Sequence, residues 1–169
     1  DAARSTPKGW RTASFTDVTT VISGGTPKTS ISEYWGGEIP WFSVVDAPKP
    51  SEVFVIGTEK NISAVGLENS PTKLLSVGTT IISARGTVGR LALVGTEMAM
   101  NQSCYGLRGK VGDSYFTYFR ACLLVDSLQQ RAHGSVFDTI TRDTLSSISV
   151  VQPDEAVIFA FEDKVSPFM

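Results

Sequence analysis

Thr79-Thr80-Ile81-Ile82-Ser83-Ala84-Arg85-Gly86-Thr87-Val88-Gly89-Arg90-Leu91-Ala92-Leu93-Val94 reads as two apolar strands joined by a glycine-punctuated reversal. The run Thr79 to Ser83 suits a buried pleated surface, and Arg90 to Val94 resumes it after the turn. Gly86 and Gly89 free the backbone for a tight return. Downstream, Met98 to Met100 and Ser103 to Leu107 are two more short strands separated by Asn101-Gln102. Upstream, Trp10 to Phe15, Ile39 to Val45 with Pro40 among its first residues, and Val53 to Ile56 are extended. Thr16 or Asp17 is placed to cap a short helix through Ile22, which Gly24-Gly25 would stop. Asp46 to Pro50 must turn, and Asn61 to Asn69 holds one or two helical turns. Strands this short, with turn signals this regular, predict a compact and mainly antiparallel sheet.

The period changes after Leu107. Tyr115, Phe119, Cys122 and Val125 recur every three or four residues, so Ser114 to Arg131 is expected to be a helix with Ser114 as its cap. Ile148 to Val151 returns as a strand. Pro153 then opens an amphipathic helix with Val157, Ile158, Phe161, Val165 and Phe168 on one face, disturbed in its last turn by Pro167. The expected fold is α+β: a small, mainly antiparallel, twisted β-sheet domain with flanking helices over residues 1–152, then the start of a long C-terminal helix over 153–169.

Of the 169 residues, 41% are hydrophobic and 19% charged, enough for a real core and unlike a disordered chain. Apolar runs such as Leu91 to Val94 are far shorter than the ~20 residues that span a bilayer, so no membrane association is expected. With no initiator methionine or signal peptide, the chain reads as a processed or excised piece. Cys104 and Cys122 have one histidine for company, too few ligands for zinc; they read as reduced thiols of a cytoplasmic protein. Fifteen basic against 17 acidic residues, a net charge of -2, argue against an indiscriminate nucleic-acid binder.

Catalytic signatures fail one by one. Gly24-Gly25-Thr26-Pro27-Lys28-Thr29 has Pro27 where a phosphate loop needs a glycine and its N–H. Pro153-Asp154 with Glu162-Asp163-Lys164 imitates a metal-dependent nuclease. Residues 154 and 162 on one helix, however, lie about 12 Å apart along its axis and cannot share a Mg²⁺. His133, in the polar stretch Arg131 to Ser135, has no companions for a triad. A stand-alone nuclease is therefore disfavoured, and no catalytic centre or metal site is expected.

What remains are glycine-anchored loops bearing side chains suited to reading bases. Arg85 and Arg90 flank the turn around Thr87, and a guanidinium can pair with guanine O6 and N7. Asn101 and Gln102 offer carboxamides for adenine N6 and N7. Lys28 and Thr29 suit phosphate. Arg85 can equally serve an internal ion pair, and Asn101-Gln102 can satisfy backbone at a bulge.

In order, Pro7-Lys8-Gly9-Trp10, Ser23-Gly24-Gly25-Thr26-Pro27, Tyr34-Trp35-Gly36-Gly37-Glu38-Ile39-Pro40-Trp41 and Gly66-Leu67-Glu68-Asn69-Ser70 resemble the target recognition domain of type I restriction-modification specificity subunits. The likeness continues through Ser83-Ala84-Arg85-Gly86-Thr87-Val88-Gly89, Asn101-Gln102, Gly134-Ser135, Ile148 to Pro153, and Phe161-Glu162 to Pro167, covering nearly the whole chain.

The resemblance implies a non-catalytic, sequence-specific reader of one half of a bipartite double-stranded DNA target. Two such domains are separated by conserved helices in the family. The reader directs adenine-N6 methyltransferase (M) subunits and restriction/translocase (R) subunits. S-adenosylmethionine, ATP and Mg²⁺ belong to those partners, and none is expected on this chain. One recognition domain is present rather than two, so Val157, Phe161, Val165 and Phe168 are expected to be partly exposed and to pair two copies. The expected DNA face is Lys28, Thr29, Arg85, Thr87, Arg90, Asn101 and Gln102. Base choice in the unshared loops Asp46 to Glu52 or Lys110 to Ser114 is an alternative, as is a methyltransferase-docking adaptor that no longer reads DNA.

Overall fold

A computed structural model describes residues 6–131 and 138–169. His133 and the Gly134-Ser135 pair lie outside the described residues. The chain opens with β1 (Arg11–Ser14), α1 (Phe15–Val18), β2 (Thr19–Ser23), β3 (Trp35–Phe42), β4 (Phe54–Val55), β5 (Asn61–Ile62) and α2 (Ala64–Glu68). It continues with β6 (Thr80–Ser83), β7 (Leu91–Val94), β8 (Ala99–Met100), β9 (Cys104–Gly109) and α3 (Tyr115–Arg131). The last elements are α4 (Arg142–Ser147), β10 (Ser149–Gln152) and α5 (Glu155–Val165), which ends in a 3-10 turn over Ser166–Phe168, where Pro167 sits.

The fold is mixed α+β, with the strands divided among three sheets rather than one. The principal sheet has the order β2-β9-β6-β7-β4, β5-β3-β8 form a second, and β1-β10 a third. Pairing is antiparallel except for β4 with β7 and β3 with β8. Strand alternation builds the interior on both faces of the principal sheet. Ile82 and Leu107 face a core shared with Ala121, Leu124 and Leu128 of α3. Ile81, Ala92 and Val94 face a second core with Phe42, Leu75, Met98 and Met100.

Two local expectations are corrected. The helix expected through Ile22 is a single turn, capped by Ser14 in a box with Asp17. Thr19 to Ser23 instead joins β9 as a strand, because its β-branched Thr-Thr-Val-Ile run meets an open sheet edge. The buried stripe of α3 is Tyr118, Ala121, Leu124, Val125 and Leu128, while Phe119 is 40% and Leu123 70% exposed. Ser114 stands directly before α3, its C=O accepting from Tyr118 N–H at 3.0 Å, and the first amides are also held from α5: Glu162 accepts from Tyr115 N–H at 3.2 Å and Phe116 N–H at 2.6 Å. A free helix terminus attracts a carboxylate through its unpaired donors and dipole, and Glu162 supplies one.

The same helix buries an ion. Arg120 donates to Gln152 Oε1 at 2.6 Å and stacks on Phe116, and Thr117 donates to Asp113 at 2.6 Å. Burial pulls the Arg120 pKa down, opposed by the Asp113 charge. Neither Arg120 nor Asp113 stood out in the sequence.

Candidate nucleic-acid interface

Registers place the candidate residues relative to one another. Ser23 at the end of β2 pairs with Tyr105 near the start of β9, and Ser83 at the end of β6 pairs with Cys104. Ile82 faces Leu91 at the start of β7, and β4 runs parallel to β7. The Gly24–Thr29 loop, the Ala84–Arg90 turn, the Asn101–Ser103 loop and the segment before β4 therefore all emerge at one end of the principal sheet. Lys28, Thr29, Arg85, Thr87, Arg90 and Gln102 are exposed there, and Asn101 is half-buried. The Asp46 to Glu52 alternative lies at this end. Lys110 to Ser114 follows the far end of β9 and lies at the opposite one, where Lys110 Nζ donates to Thr16 C=O.

The turn is braced by one side chain. Ser83 Oγ donates to Thr87 C=O at 2.5 Å and accepts from Arg90 N–H at 2.8 Å. Gly86 and Gly89 take φ of 73° and 87°, the left-handed conformation that this reversal requires and that side chains resist. An added Cβ on Gly86 would meet open space, so Gly86 stands at the free tip of the turn. Arg85 and Thr87 flank it. Arg90 points elsewhere, its guanidinium donating to Pro48 C=O at 2.8 Å, which ties the turn to the segment before β4.

Two tryptophans of β3 hold the Gly24–Thr29 loop. Trp41 Nε1 donates to Gly25 C=O at 2.9 Å and Trp35 Nε1 to Lys28 C=O at 3.3 Å, with the rings edge-on at 5.1 Å. Gly24 packs so tightly on the Asn101 carbonyl that a Cβ would stand 1.9 Å from its oxygen. Thr26 donates to Gln102 Oε1, joining the same two loops at their surface. Asn101 Oδ1 accepts from Ser103 N–H at 3.0 Å, closing an Asx turn. Half of the bidentate geometry expected of Asn101 is thus engaged in shaping its own loop, while Gln102 is exposed.

Sequence reasoning missed Arg142. Its guanidinium donates to Val21 C=O at 2.8 Å and Ser23 Oγ at 3.0 Å and lies 5.7 Å from the Tyr105 ring. No motif marks it, since Val21 and Ser23 are more than a hundred residues upstream. It joins Lys28, Arg85, Arg90 and Lys49 at an end that also carries the carboxylates of Asp46 and Glu52.

Among the described residues no group of three or more His, Cys, Asp and Glu side chains can hold a metal. The Cys104 thiol is pushed up to about 12 by burial and by the Asp46 charge, and burial also raises Cys122. Neither is a ready thiolate. Asp154 and Glu162, the imitation nuclease pair, cap separate helices: Asp154 accepts from Val157 N–H at 3.0 Å, and Glu162 serves α3. No helix among the described residues is long and apolar enough to cross a membrane.

The C-terminal residues divide. Ile158 is fully buried, and Phe161 packs edge-on against Phe116 at 5.4 Å and Phe119 at 5.9 Å. Val165 is half-buried, Val157 is exposed, and Phe168 is 87% exposed.

Comparison with known proteins gives a consistent family. The sequence profile described as "Type I restriction modification DNA specificity domain" matches residues 7–157. The chain is 26% identical over 150 residues to the type I restriction enzyme MjaIX specificity subunit of Methanocaldococcus jannaschii, with 87% of this chain and 35% of that protein covered. It is 25% identical over 163 residues to the HindI specificity subunit of Haemophilus influenzae, covering 94% and 35%. The chain thus spans about a third of the length of these relatives. The HsdS subunit from Thermoanaerobacter tengcongensis superposes with a TM-score of 0.70 at 20% identity, over 98% of this chain and 39% of the other. A type I restriction-modification S subunit from M. genitalium gives 0.57 at 16% identity, over 99% and 40%.

Proposed function

As the chain belongs to the type I restriction modification DNA specificity domain family, we propose that it reads one half of a bipartite double-stranded DNA target. The observation that carries this reading is the convergence of four loops at one end of the principal sheet, exposing Arg85, Thr87, Lys28, Thr29 and Gln102 together. Arg85 and Gln102 present base-reading groups, and Lys28 and Thr29 offer phosphate contacts. Exposure of Arg85 and Thr87 favours reading over an adaptor role that would leave them without purpose.

The chain acts without catalysing a reaction, directing adenine-N6 methyltransferase subunits and, with them, restriction/translocase subunits in the cytoplasm. S-adenosylmethionine, ATP and Mg²⁺ are used by those partners. Residues 1–152 form the reader and the helix from 153 the arm toward other chains. The exposure of Val157 and Phe168 supports pairing of two copies through that arm.

Selection of bound duplexes from a randomised pool tests the reading. A short shared motif is expected with the unaltered chain and a loss of preference with Arg85→Ala. Equal retention of every duplex by the unaltered chain sinks it. Sedimentation of a strict monomer at high concentration would count against self-pairing.

A further inference from the structure

A strap of four residues crosses the reading end of the principal sheet. Thr139 forms an isolated antiparallel bridge with Arg85, and the N–H of Ile140 donates to Ala84 C=O at 2.8 Å. Ile140 is buried in the core beneath, which anchors the strap from below. Two residues later Arg142 grips Val21 and Ser23 of β2 and lies over Tyr105 of β9. The strap thus links the turn after β6 to the edge strand β2, passing over β9, which separates them.

Among the described residues β2 has only one strand neighbour, so its final residues are held on one side by β9 and on the other by Arg142. Those residues lead into the Gly24–Thr29 loop. A guanidinium suits this position because it is planar, donates to two acceptors at once, and stacks on an aromatic ring. Base-edge hydrogen bonds tolerate displacements of only about 0.5 Å, so the spacing between two reading loops has to be fixed by something rigid. We propose that Arg142 is a positioning residue for DNA reading, holding the Gly24–Thr29 loop at a set distance from the Arg85 turn. This rests on the DNA-reading function above.

Two measurements on the full chain with Arg142→Ala test it. In hydrogen exchange, which needs no DNA, the amides of Gly24 to Thr26 and of Arg85 to Gly89 are expected to exchange about tenfold faster, the loss of a charged hydrogen-bonding group, with β6 and β7 unchanged. In binding, the preference for the selected motif over random duplex is expected to fall about tenfold, with the salt dependence unaltered. Equal weakening on both duplexes, with a salt slope shallower by about one, would make Arg142 a phosphate contact and overturn the proposal. Unchanged exchange in both loops overturns it too. If the unaltered chain selects no motif, the DNA reading itself fails, and the exchange result still decides whether Arg142 fixes the loops.

Discussion

The carboxylate of Glu162 on α5 accepts a 2.6 Å hydrogen bond from the backbone N–H of Phe116 at the start of α3. With the bond from Tyr115 N–H to the same carboxylate, it joins the C-terminal helix to the helix that backs the principal sheet. Phe161 reinforces it from the preceding position by packing between Phe116 and Phe119.

Glu162→Ala leaves two helix-terminal amides without their carboxylate. A loss of about 1–2 kcal/mol is expected in chemical denaturation, the usual cost of losing a cap. Glu162→Gln, which keeps an acceptor but not the charge, should lose less. Equal stability of Glu162→Ala and the unaltered chain would show that the cap carries no weight.

Arg85 and Lys28 should separate two kinds of contact. Arg85→Ala is expected to lower discrimination at one base pair by about 1–3 kcal/mol. Lys28→Ala should weaken all duplexes alike and reduce the salt slope by about one. Titrations at several salt concentrations distinguish the two. Identical behaviour of the two variants contradicts the assignment.

Two glycine substitutions at this end should differ sharply. Gly24→Ala drives a Cβ into the Asn101 carbonyl, so the loops must part, with a marked fall in Tm and in DNA binding. Gly86→Ala meets open space, and its φ of 73° costs about 1–2 kcal/mol. Thermal melts of both variants rank them.

Alkaline stability follows from the buried thiol. Cys104 titrates near the ordinary thiol value of 9.0 when unfolded and about 12 when folded, so the folded state holds its proton more tightly. Its contribution is fully present below about pH 9 and is lost as pH rises toward 12. Tyr118, pushed from 10.0 to about 12 by burial and then by Cys122, acts in the same sense. Denaturation at stepped pH should show stability falling across this window, less steeply for Cys104→Ala. An unchanged slope would assign the alkaline loss to other groups.

Features that depend on neighbours along the chain were legible before any folding was considered. The β6–β7 reversal follows from Gly86 and Gly89, α3 from a helical period, and α5 from Pro153 and the apolar face that follows it. The order of the motifs also carried the family. Features joining distant segments exist only in the folded chain. Thr19 to Ser23 is locally ambiguous and becomes a strand because β9 offers a free edge. The buried face of α3 depends on which side meets Ile82 and Leu107, and an apolar residue on either side of the stripe looks alike in sequence. Arg142 illustrates the same limit: nothing near it announces a role, since Val21 and Ser23 reach it through the tertiary fold. Loop chemistry is encoded locally, whereas the convergence of those loops is a property of strand register.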